Sequence, residues 1–75
     1  MLDVLIVCDG GLKVYEDGDV VLIIIPLGYL TKRRDRLREV LAKYSGSKIN
    51  VEVTECVKRQ GWGVRKVKRV LREVM

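Results

Sequence analysis

Histidine and phenylalanine are absent from this 75-residue chain, proline and tryptophan occur once each, and cysteine occurs twice. Without histidine no Cys/His zinc knuckle can be assembled, and Cys8 and Cys56 stand too far apart to form half of one. The same absence removes the imidazole that would activate a cysteine nucleophile, so Cys8 has no base partner and Asp9 beside it reads as a turn former. A Walker or dinucleotide cradle is missing too. Gly10-Gly11 lead into a strand rather than a helix, and Gly61-x-Gly63 alone matches neither pattern. No enzyme, metal or cofactor is therefore expected, and no small-molecule substrate is inferred. Free cysteines behave as small hydrophobes, which places both in the core as thiols; a disulfide is the alternative if the source is a hyperthermophile. No apolar run approaches the roughly 20 residues of a membrane span, and Met1-Leu2-Asp3 lacks the basic start of a signal peptide. The expectation is a cytoplasmic protein with no membrane partner.

Charge is abundant and unevenly placed. From Met1 to Pro26 the only cation is Lys13, against Asp3, Asp9, Glu16, Asp17 and Asp19; from Leu27 to Met75 fourteen Lys and Arg face only five carboxylates. A field segregated in this way is the footprint of nucleic-acid or anionic-surface binding. Scarce amides (Asn50 and Gln60), abundant Val and Arg and a dense ionic exterior also describe a thermophile's surface. A chain of this length buries only about 60–65% of its unfolded surface. It is expected to form one domain over residues 1–75, with every long apolar side chain drawn into a single core.

The apolar pattern predicts α+β architecture in the order β-β-β-α-β-α, with two helices packed on a four-stranded mixed sheet. Leu2–Cys8, Leu12–Tyr15 and Val20–Ile25 read as strands separated by two Asp-Gly turns, which predicts a three-stranded antiparallel unit. Val20–Ile25 is apolar at every position, as a central strand would be, and Pro26 ends it. A helix is predicted from an N-cap at Thr31 to about Tyr44, then an edge strand over Lys48–Val57. A last helix follows Gly63, with Val64, Val67, Val70, Leu71 and Val74 on its apolar stripe. The connection from the third strand through the first helix to the fourth makes those strands parallel, so the loops that follow them open at one edge of the sheet.

Those two loops carry the functional clue. Gly28-Tyr29-Leu30-Thr31-Lys32-Arg33-Arg34 and Gly61-Trp62-Gly63-Val64-Arg65-Lys66 each combine glycine, one aromatic and cations at a predicted helix start. Cations are disfavoured there by roughly 0.3–1 kcal/mol each, a cost that a bound phosphate offsets. The reading is non-catalytic binding of nucleic acid, DNA or RNA, with weak sequence preference. Phosphate contacts are assigned to Lys32, Arg33, Arg34, Lys58, Arg59, Arg65, Lys66 and Arg69, with stacking from Trp62 and Tyr29. The alternative is a homodimeric interaction or structural module of a thermophile that pairs through apolar strand edges.

Overall fold

In the computed structural model, which describes residues 1–75, four strands form one mixed sheet: β1 (Leu2–Val7), β2 (Lys13–Asp17), β3 (Val20–Pro26) and β4 (Ile49–Val53). Their order across the sheet is β2-β3-β1-β4. Strand β1 is parallel to both β3 and β4, and only the β2–β3 pair is antiparallel. The two strands richest in Val, Ile and Leu thus occupy the interior positions, and the polar β2 and β4 lie at the edges.

This pairing corrects the predicted antiparallel three-stranded unit. Asp17-Gly18 does make a tight hairpin: Asp17 pairs with Val20, and Gly18 adopts φ +59° at the first central position, the requirement of a type II′ turn. Asp9-Gly10-Gly11 does not. The segment Cys8–Leu12 instead carries the chain past the end of β3, two strand spacings or roughly 10 Å, so that β1 pairs with β3 directly. Side-by-side pairing of two apolar strands outweighs the shorter connection, because each covers the other's flank as well as the core.

Four helical segments replace the two expected: α1 (Gly28–Thr31), α2 (Arg34–Leu41), α3 (Glu55–Arg59) and α4 (Val64–Val74), with a short 3-10 turn at Ala42–Tyr44. Leu27 and Leu30 are both buried, which draws the chain into a helical turn as soon as β3 ends. Thr31 therefore closes α1, its hydroxyl donating to the Gly28 carbonyl at 3.3 Å, rather than capping the longer helix. Strand β4 stops at Val53 and not near Val57, since Val57 is wholly buried beneath the turn that α3 makes.

The core is one cluster of fifteen side chains. The sheet contributes Leu2, Val4, Ile6, Ile23, Ile25 and Val51 from alternate strand positions, and the helices contribute Leu30, Leu37, Leu41, Val57, Val67, Val70, Leu71 and Val74. All the helices consequently lie on one face of the sheet. No helix is long and apolar enough to cross a membrane.

Candidate nucleic-acid interface

Because β3 and β4 are both parallel to β1, all three carboxyl ends lie at the same edge of the sheet. Leu27 N–H donates to the Val7 carbonyl at 2.8 Å and Thr54 N–H to the Ile6 carbonyl at 3.1 Å, so α1 and α3 both start directly from that edge. Helix α1 also packs against α4. The Tyr29 and Trp62 segments accordingly both follow strands that end at this one rim of the sheet.

The two cysteines meet at this rim as well. Cys8 and Cys56 form a disulfide with Cα atoms 6.1 Å apart, correcting the expectation of two core thiols. Cys56 is exposed and Cys8 half-buried; neither could sink into the core, because Cys8 lies one residue beyond the end of β1 and Cys56 points away from the buried Val57. The bond ties α3 to the end of β1. The Gln60 amide approaches both sulfurs, 3.3 Å from Cys8 Sγ and 3.9 Å from Cys56 Sγ. With both sulfurs bonded, Cys8 offers no thiolate.

Helix α4 begins at the rim after Gly63, which supplies no side-chain cap, and no acidic residue occupies its first turn. Its first N–H groups thus lack intrahelical partners, and Arg65 and Lys66 stand beside them. Arg69 follows one turn later on the same exposed side. Valines 67, 70 and 74 with Leu71 hold the opposite side in the core. None of Arg65, Lys66 and Arg69 makes a salt bridge, and across the molecule only Arg34, Arg36 and Lys58 of the fifteen cations have a carboxylate within 4.0 Å.

The first cationic cluster is arranged differently from the sequence expectation. Helix α1 begins with Gly28, Tyr29 and Leu30, so no cation lies in its first turn. Lys32 and Arg33 occupy the α1–α2 junction, and Arg34 opens α2. Arg34 donates through Nε to the Leu30 carbonyl at 2.7 Å and pairs with Glu73 at 3.5 Å. Glu73 is in the last turn of α4, roughly 14 Å along the axis from Val64, so the start of α2 lies beside the carboxyl end of α4 and away from its amino end. Lys58 and Arg59 sit in the last turn of α3, where the helix dipole favours them, and Lys58 pairs with Glu55 at 3.6 Å.

Each aromatic ring is already covered by a cation. The Arg33 guanidinium lies 4.5 Å from the Tyr29 ring centroid and also donates to the Tyr29 hydroxyl at 3.1 Å. The Lys66 ammonium lies 4.3 Å from the Trp62 ring. Both rings are half-buried and rest against the core. Both pairs are four residues apart, but neither lies within one helix, since Arg33 falls between α1 and α2 and Trp62 precedes the Gly63 that opens α4; the loop backbone brings each cation over its ring. Away from the rim, Lys68 and Arg72 line a shallow cavity of about 240 Å³ with Ser47, Ile49 and Leu71. These two cations belong to the basic face of α4 and were not among the expected contacts.

Comparison with protein-family models, curated proteins and solved structures found no match to this chain. The chemistry of the rim and of α4 therefore carries the functional argument alone.

Proposed function

We propose that this protein binds nucleic acid, DNA or RNA, without acting on it chemically, mainly by phosphate contacts at the amino end and along the outward side of α4. The carrying observation is an uncapped helix start with Arg65 and Lys66 in its first turn and no carboxylate to neutralise them. Free N–H groups, dipole and side-chain charge there all favour an anion. Arg69 extends the contact along α4 and Arg59 widens it, while Lys32 and Arg33, at the α1–α2 junction near the carboxyl end of α4, would meet a separate stretch of the polyanion. Arg34 and Lys58 add less, since each would exchange a native carboxylate for a phosphate.

Stacking is secondary in this reading. Trp62 and Tyr29 rest one side on the core, and a base reaches the other only after Lys66 or Arg33 swings off the ring, giving up about 0.5–1 kcal/mol. The released cation is then free for the adjoining phosphate. Contacts of this kind follow the backbone, so sequence preference is weak. We assign the protein to the cytoplasm of a thermophile, the setting in which an intracellular disulfide and a densely ionic surface occur together.

Fluorescence anisotropy with labelled single- and double-stranded oligonucleotides, titrated with salt, tests the proposal. Replacing Arg65 and Arg69 by Ala lowers the log–log salt slope on duplex DNA by roughly 1–2 units, because each lost phosphate contact removes about 0.9. Absence of binding at low salt, or a slope unmoved by the double variant, refutes it.

A further inference from the structure

One face of the sheet has no layer over it. Alternation along the strands turns Leu2, Val4, Ile6, Ile23 and Ile25 into the core and therefore turns Leu5, Val7, Leu22 and Ile24 to the other side. These four are half-buried, yet none joins the core cluster or packs against it. Leu5 stands beside Ile24 and Asp3 beside Leu22 on the two interior strands, so the strip down the middle of the sheet is apolar except at Asp3. Sheets that keep one face in water place polar residues at such positions.

What surrounds the strip identifies what covers it. The row through Ile24 and Leu5 ends in Lys13 on β2 and in Glu52 on β4. The neighbouring row runs Tyr15, Leu22, Asp3, Asn50 across the same four strands. Tyr15 is 52% exposed, and the far end of the face holds a shallow groove of about 240 Å³ whose lining includes Asp3, Leu22, Asn50 and Glu52. One edge thus carries a cation and a projecting ring, and the other an anion and a hollow.

A two-fold axis running along the strands, between two such faces, turns the sheet over so that β2 of each copy lies across β4 of the other. Lys13 then meets Glu52 of the second copy, Tyr15 meets the groove beside Asn50, Ile24 meets Leu5, and Leu22 meets Asp3, whose carboxylate accepts from the Asn50 amide at 3.4 Å, each contact occurring twice. An axis across the strands lays β4 on β4 and β2 on β2, and so keeps Lys13 and Glu52 at opposite edges of the interface. From this self-complementarity we infer that the protein forms a face-to-face homodimer through Leu5, Val7, Leu22 and Ile24, with Lys13 and Glu52 paired reciprocally between copies. Two sheets packed in this way keep their strands within about 30° of one another, roughly 10 Å apart. Four strands about 20 Å long give a footprint of roughly 400 Å² per copy, about 800 Å² in total and below the standard specific interface, so the association is weak and transient. The basic helix layers of the two copies face outward.

Sedimentation equilibrium of the full chain without nucleic acid, up to about 1 mM, reads the association. Dimer at twice the 8.6 kDa chain mass is expected. Lys13→Glu and Glu52→Lys each weaken it about five- to tenfold, and the double swap restores it, because the two charges exchange places. Both side chains are exposed on edge strands, so the variants keep the fold, which a thermal melt verifies. A monomer throughout, a dimer indifferent to both single reversals, or a double swap no better than the singles overturns the inference. The measurement does not depend on nucleic-acid binding, so either idea can fail alone.

Discussion

Removing the Cys8–Cys56 bond is the perturbation whose size follows most directly from the fold. The bond joins residues 48 apart in sequence. Closing a loop of that length removes entropy from the unfolded chain worth about 4 kcal/mol at 25 °C. A chain of this size has a total stability of roughly 4–11 kcal/mol, so one covalent link holds a large fraction of it. The side chains themselves contribute little to packing, since Cys56 is exposed and Cys8 half-buried at the core's edge. The Cys8→Ala, Cys56→Ala double variant should therefore lose about 4 kcal/mol and melt about 25 °C lower, given an unfolding entropy near 2.1 cal/mol/K per residue. Urea denaturation, followed by Trp62 fluorescence, provides the assay. The slope with urea should also rise, because the unlinked chain exposes more surface when it unfolds. A midpoint drop worth less than about 1 kcal/mol, with unchanged slope, would refute the argument that the link acts on the unfolded state.

Three further outcomes are expected. Leu71→Ala empties a wholly buried site between α4 and the sheet and should cost about 2–5 kcal/mol by thermal or urea unfolding. Gly61 has φ +86° with open space where a Cβ would project, so Gly61→Ala meets backbone strain without a clash and should cost about 1–2 kcal/mol; an unchanged melting temperature would contradict the conformation of the α3–α4 turn. Tyr44 donates to Glu16 at 2.7 Å, and that hydrogen bond, followed by desolvation and the carboxylate's charge, raises its pKa above the ordinary 10.0. The neutral phenol is the bonded form, so its stabilising contribution is complete below the ordinary phenol value and disappears as pH rises through the raised one. Ultraviolet titration should show the Tyr44 phenol ionising above the ordinary 10.0, and Glu16→Gln should lower it toward that value.

Local rules captured the parts of this fold that local chemistry decides. Asp17-Gly18 made its hairpin, Pro26 closed β3, and the apolar spacing of Val67, Val70, Leu71 and Val74 marked the buried side of α4. Asp9-Gly10 carried the same turn signal and was overridden, because pairing β1 with β3 buries two apolar strands against each other, a gain visible only at the level of the sheet. Thr31 had the chemistry of an N-cap, but burial of Leu27 and Leu30 started the helical turn earlier. The disulfide depended on a Cα separation that no residue pattern encodes. At the candidate site, the shared rim followed from counting crossovers. The carboxylate on Arg34 did not, since Glu73 lies 39 residues away and reaches it only through the packing of α2 near α4.

Sheet order also fixes where the acidic hairpin lies. The acidic amino-terminal third ends in the β2–β3 hairpin, where Glu16, Asp17 and Asp19 cluster at the β2 edge. Helix α4 packs beside β4, at the opposite edge. Had β1 and β2 paired as a simple hairpin, β3 would have become the outer partner of β2 and the acidic turn would have lain deeper within the sheet. Pairing β1 with β3 instead pushes the acidic strand outward, about 14 Å from β4, and there Arg36 of α2 and Lys43 of the 3-10 turn line a groove with Glu16, so cations of the helix layer partly balance it. The same interior pairing sets Leu5 beside Ile24 on the sheet face away from the core, so one topological choice fixes both where the acidic hairpin lies and which apolar side chains the helices leave uncovered.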